Sequence, residues 1–163
     1  MNIPQIIEFP ERHYVAVRAT ITMTSFGVVG DRIGELIGWL AQRGAAPAGA
    51  PFFRYDSINM PEDRLVVEAG VPVASPVAGE GDIFAATLPA GRYATTSHHG
   101  HPDQLVGVIE SLLKWAEDQG LDWDMTEKDG TEHWGCRLEL YNTDPRVEPD
   151  MNNWDVDLQF RLA

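Results

Sequence analysis

The chain carries one pattern twice. His13-Tyr14-Val15-Ala16-Val17 opens a short strand-like run, an apolar helix follows, and that helix ends in Trp39-Leu40-Ala41-Gln42-Arg43-Gly44. Two more strand-like runs, residues 51–56 and 64–73, complete the unit. Arg92-Tyr93-Ala94-Thr95-Thr96 then opens a second copy, whose helix ends in Trp115-Ala116-Glu117-Asp118-Gln119-Gly120 and whose closing runs are residues 135–142 and 154–162. Both helices end Trp-x-x-x-x-Gly, Tyr55 answers Tyr141, and residues 68–73 answer residues 157–162. Two copies are too few for a solenoid, which shares its core over three or more repeats. They close on each other instead and leave a cleft at their junction, a common place for a ligand.

The pattern predicts an α+β fold: a pseudo-twofold repeat of two βαββ modules, about residues 13–73 and 92–162, with a largely antiparallel sheet and two helices flanking a central ligand groove. At 163 residues one domain is expected. The first helix is expected within residues 28–43, where Ile33, Leu36, Ile37, Leu40 and Ala41 form one apolar stripe and Gly44 is the stop. Pro102 and Asp103 suit the start of the second helix, Leu105, Val108, Ile109, Leu112 and Ala116 form its stripe, and Gly120 ends it. Residues 83–88 and 92–97 read as a hairpin about Pro89-Ala90-Gly91. Pro72 and Pro76 suggest that the run from Arg64 ends at a sheet edge or bends. Residues 121–133 read as a polar loop or a small excursion.

Charge narrows the partners. Twelve basic residues against 25 acidic ones give a net charge of −13, which repels phosphate backbones and argues against direct nucleic-acid binding. The same charge suits a cationic ligand or a basic protein partner, or simply keeps the chain soluble. No apolar run is long enough for a membrane span, and the first residues carry no signal-peptide pattern. Cys136 has no intramolecular partner and lies in a strand-like run, so a reduced thiol and a cytoplasmic setting are expected.

Strand alternation puts Arg137, Glu139 and Tyr141 on one face. That face is either a wet surface of an antiparallel sheet or a cleft that holds Glu139 as a charge reader or proton carrier. Phe53 and Tyr55 share a face in the first half, and four of the five tryptophans (Trp115, Trp123, Trp134, Trp154) lie in the second. Such rings serve either as core or as walls for a cationic ligand. His98-His99-Gly100-His101 has poor metal spacing, because adjacent residues on an extended chain point apart. Asp122-Trp123-Asp124 fails as a calcium loop, with Glu127 where the glycine belongs and His133 where the bidentate Glu belongs. No phosphate loop or nucleophile elbow is present, and no metal or cofactor is expected.

Taken in order, Leu88-Pro89-Ala90-Gly91-Arg92-Tyr93, His99-Gly100-His101-Pro102, Leu113-Lys114-Trp115, Leu138-Glu139-Leu140-Tyr141-Asn142-Thr143-Asp144-Pro145 and residues 154–162 resemble the gyrase-inhibitor-like (GyrI-like) small-molecule-binding domain. The same domain is the effector-binding part of multidrug-responsive transcription activators. Residues 68–73 fit it too, and the resemblance runs from about His13 onward. It implies a groove between the two helices with a carboxylate at its floor, at Glu139, and lipophilic, often cationic or polyaromatic ligands held between aromatic rings. By place, Tyr141, Trp115, Trp154, Tyr55 and Phe53 are the expected walls. Some stand-alone members look like hydrolases that open strained cyclopropane rings in cytotoxic compounds; in such an enzyme Glu139 and Tyr141 would be catalytic. Others inhibit gyrase, so an acidic protein-interaction module is a further alternative. About a dozen residues precede the first strand, too few for a helix-turn-helix, so a stand-alone binder of small molecules is expected.

Overall fold

The computed structural model describes residues 3–163. Among these, ten strands join in one sheet: β1 (Gln5–Phe9), β2 (Arg12–Ile21), β3 (Phe52–Asn59), β4 (Arg64–Val73), β5 (Phe84–Leu88), β6 (Gly91–His99), β7 (Met125–Lys128), β8 (Thr131–Trp134), β9 (Arg137–Tyr141) and β10 (Asp155–Arg161). Three α-helical segments interrupt them: a single turn, α1 (Gly27–Gly30), then α2 (Ile33–Gln42) and α3 (Leu105–Asp118). The expected first helix is thus broken, with Asp31 and Arg32 between its two pieces.

α2 buries Leu36, Trp39 and Leu40, and α3 buries Leu105, Leu112 and Ala116. The two helices stop in the same way. Gly44 and Gly120 adopt φ of 69° and 70°. Gly44 N–H bonds to Ala41 O at 3.1 Å and Ala45 N–H to Leu40 O at 3.0 Å; Gly120 N–H bonds to Glu117 O at 3.0 Å and Leu121 N–H to Ala116 O at 2.9 Å. Each helix therefore ends in a glycine whose positive φ lets the last free carbonyls find donors. The repeated Trp-x-x-x-x-Gly is the sequence trace of that stop.

The sheet order is β1-β6-β10-β9-β3-β4-β2-β5, with the β7–β8 hairpin attached to β3 through β8. Read outward from the β9–β3 centre, the two sides correspond: β10 to β4, β6 to β2, and β1 to β5. The central register pairs Phe52 with Leu140, Phe53 with Glu139 and Arg54 with Leu138. A pseudo-twofold axis therefore passes by the Phe53–Glu139 pair, and two residues further along each strand stand Tyr55 and Tyr141. The fold is the expected α+β repeat of two βαββ modules, with α2 and α3 flanking a curled antiparallel sheet.

One local expectation is corrected. Residues 83–88 and 92–97 do not form a hairpin: β5 pairs with β2, and β6 pairs with β1 and β10. Pro89-Ala90 and Gly91, at φ 152°, redirect the chain between them. β4 lies inside the sheet over most of its length, and its last residues reach an edge, as its prolines suggested. Pro72 is tolerated there because β3 pairs with β4 only as far as Gly70, so no strand stands opposite the nitrogen that lacks a proton. Of the two readings of residues 121–133, the small excursion holds: β7 and β8 turn about Asp129 and Gly130, both at positive φ (53° and 80°) as a tight hairpin turn requires.

Each face has its own core. Alternation sends Val15, Val17, Val67, Ala69 and Leu158 under the helices, while Tyr14, Phe52, Tyr93, Cys136, Leu138 and Leu140 form a second cluster on the opposite face. Arg137, Glu139 and Tyr141 share the helix-bearing face.

Candidate functional site

β9 delivers Glu139 to the centre of the helix-bearing face, where it is only 5% exposed. The wet-surface alternative for this face is therefore excluded. The Tyr141 hydroxyl donates to Glu139 Oε1 at 3.0 Å, and the buried Tyr55 hydroxyl is near enough to the same carboxylate to favour its ionised form. The two tyrosines occupy pseudo-equivalent places, so Glu139 is held between the matching residues of the two modules. Burial pushes its carboxyl above the usual carboxylate range, opposed by the two hydroxyls and by Arg137. Burial likewise raises Tyr55 and Tyr141, with the Glu139 charge acting in the same direction. Arg137 is pulled down by burial and stacks on Tyr55, Trp134 and Phe160, with its guanidinium 5.6, 4.9 and 4.5 Å from their ring centres.

An aromatic chain surrounds the carboxylate. Phe53 packs edge-on to Tyr141 with centroids 5.5 Å apart, and Tyr141 to Trp154 at 6.4 Å. Trp154 is oriented by its indole N–H, which donates to Glu148 O at 2.8 Å. Sequence reasoning missed Phe26, which lies 5.6 Å from Phe53 and 6.1 Å from Tyr55. It precedes α1 in a segment without strand or helix periodicity, so no pattern in its neighbours points to it. The structure thus brings together Glu139, Tyr141, Tyr55, Phe53 and Trp154. Trp115 packs against the same helix-face core as Phe53 and Tyr141, and it also lines a cavity with Thr96, His98 and Ser111.

A second buried carboxylate, Glu68, lies on the opposite face and is already matched. It accepts a short hydrogen bond from the Tyr14 hydroxyl and one from Arg18 at 3.3 Å, while Arg54 donates to the Tyr14 oxygen at 2.9 Å. Asp56, on the β3 bulge, is pushed up to about 8 by burial and by Glu68 beside it, and these neighbours hold Glu68 below its ordinary value. The histidines diverge: His99 pairs with Asp155 at 2.8 Å, and His101 accepts from Asp103 N–H at 3.1 Å at the helix entry. No group of His, Cys, Asp and Glu with metal-holding geometry occurs among the described residues, and none of their helices is long and apolar enough to cross a membrane.

The model of the GyrI-like small molecule binding domain matches residues 3–163. The chain belongs to this family. Small-molecule binding is accordingly its general function. Among solved structures, the C-terminal domain of EcmrR shares 20% identity, covers 100% of this chain and 98% of its own, and superimposes with a TM-score of 0.76. EcmrR in its DNA complex matches at 21% identity and a TM-score of 0.73, with 99% of this chain covering 57% of that one. SAV2435 bound to tetraphenylphosphonium matches at 12% identity, 99% and 94% coverage, and a TM-score of 0.59. At these identities the structures establish the fold. No curated protein matches the chain.

Proposed function

We propose that this GyrI-like domain binds lipophilic cations, with Glu139 as the charge reader and Phe53, Tyr55, Tyr141, Trp154 and Phe26 as the aromatic enclosure. The observation that carries this reading is the carboxylate buried between two pseudo-equivalent tyrosines in a ring-lined centre. A buried carboxylate is costly without a countercharge, and the edges of that cost favour a ligand that brings one. Aromatic faces add attraction for the same charge. SAV2435, with the same fold, was solved bound to tetraphenylphosphonium, a cation of this class. The role fits an effector-binding domain separate from a DNA-binding domain, as the likeness to the C-terminal domain of EcmrR suggests.

The test is a titration of tetraphenylphosphonium against tetraphenylborate, its anionic counterpart, followed by quenching of Trp154. The wild-type protein should prefer the cation by roughly tenfold or more, a difference of about 1.4 kcal/mol. Glu139→Gln should bring the two ligands close together with the circular dichroism unchanged. A preference that survives the substitution assigns selectivity to the net charge of −13 instead. A second reading, opening of a strained cyclopropane ring, is favoured by the Tyr141 hydroxyl lying 3.0 Å from Glu139 Oε1, an arrangement suited to proton transfer. The same variants decide it when a cyclopropane-bearing alkylator replaces the cation: catalysis requires turnover by the wild-type protein that Glu139→Gln and Tyr141→Phe lose, and stoichiometric protection alone argues for binding.

A further inference from the structure

A cavity of about 710 Å³ opens on the flank of α3 where Trp115 lies, and it shares no lining residue with the Glu139 cluster. The strand registers separate the two. On β10, Leu158 pairs with Glu139 on one side and with Thr96 on the other, and Val156 likewise stands between Tyr141 and His98. Thr96 and His98, which line the cavity, are thus two strands away from the carboxylate and its tyrosine, a distance of roughly 10 Å at normal strand spacing.

The walls of this cavity differ in chemistry from the central site. Val108, Leu112 and Trp115 give one apolar side. Thr96, His98, Gln104 and Ser111 supply hydrogen-bonding groups. None of the lining residues among those described is Asp, Glu, Lys or Arg, although the chain carries 25 acidic and 12 basic residues. His98 Nε2 is buried and has no hydrogen-bond partner among the described residues. Gly107 lines the same cavity, and a Cβ added there meets nothing within 4 Å, so the space along the helix is open. Pockets of about 300–1,000 Å³ with apolar walls and a few polar groups are the usual form of small-molecule sites.

We infer that this cavity is a second binding site, for an uncharged aromatic molecule that packs on Trp115 and meets the polar side chains of its wall. It is separate from the proposed cation site and does not depend on it. A protein with both sites recognises a lipophilic cation and a neutral aromatic compound at once.

N-phenyl-1-naphthylamine, an uncharged three-ring fluorophore with one N–H, is the probe. Its fluorescence should rise saturably with the full-length protein, and excess tetraphenylphosphonium should not displace it. Gly107→Phe fills the cavity while replacing a helix-interior glycine, so the helix itself is not weakened. It should weaken probe binding about tenfold or more and leave tetraphenylphosphonium affinity unchanged. Ser111→Phe, at an exposed helix position, blocks the same space and serves if Gly107→Phe misfolds. The inference is overturned if no saturable binding occurs, if probe affinity is unchanged in both blocking variants, or if tetraphenylphosphonium competes with the probe one for one.

Discussion

Glu139 concentrates the chemistry of the centre in one side chain. Without a ligand, burial holds its carboxyl high, so the protonated form persists further up the pH scale than on an exposed glutamate. A cation binds the ionised form. Affinity for tetraphenylphosphonium should therefore rise with pH, by up to about tenfold per unit, until the free-state carboxyl has ionised, and then level off. Below that point binding should release a proton, which calorimetry in buffers of different ionisation enthalpy reads directly. Tyr55, Tyr141 and Arg137 surround the carboxylate, but all are expected to keep their protonation states through this range, so Glu139→Gln should flatten the profile. The stability sign runs the other way: a carboxyl raised in the folded state favours folding most at low pH, and that contribution disappears as pH climbs through its folded pKa.

At the scale of elements, strands are registered by what fits between them. Gly70 of β4 stands opposite Phe52 of β3 and Ala16 of β2. A Cβ there would come within 2.6 Å of the Phe52 ring and 3.1 Å of the Tyr14 ring. Its backbone is ordinary extended chain, so the glycine is needed for space alone. Gly70→Ala should cost roughly 1–3 kcal/mol by overpacking, seen as a lower urea midpoint with an unchanged slope. The regular elements were legible because their signals are local: the apolar stripes of α2 and α3, their Gly44 and Gly120 stops, and the alternation that groups Arg137, Glu139 and Tyr141. Partner choice was not. Nothing in residues 83–88 says that they pair with β2 across the molecule rather than with the next strand, because pairing is settled by remote chain. Trp115 is a similar case: its stripe says that it is near the sheet, and only the position of α3 decides which side of the helix it serves.

The whole molecule is built by exchange. β1 precedes the first module but pairs with β6 of the second, while β5 precedes the second and pairs with β2 of the first. Together with the β3–β9 and β3–β8 pairings, this makes each half an edge for the other. A chain cut between Gly79 and Gly81, in the exposed connection before β5, should therefore stay assembled as a two-fragment complex. Each fragment alone should lack the native near-UV signal of its tryptophans, and mixing equimolar fragments should restore it. A fragment that keeps its tertiary signal unaided would show that the exchange is dispensable.

The Phe53–Glu139 pair at the axis has a further consequence. Two identical chains assembled about a true twofold would have to present the same residue from both sides of the central ladder. Two glutamates there would repel across one strand spacing, and two phenylalanines would carry no charge. Joining the halves in one polypeptide removes that constraint, so one side can contribute a ring and the other a carboxylate. The polarity of the centre is thus a freedom won by covalent linkage: near-symmetry supplies the frame, and its breach at a single pair supplies the chemistry.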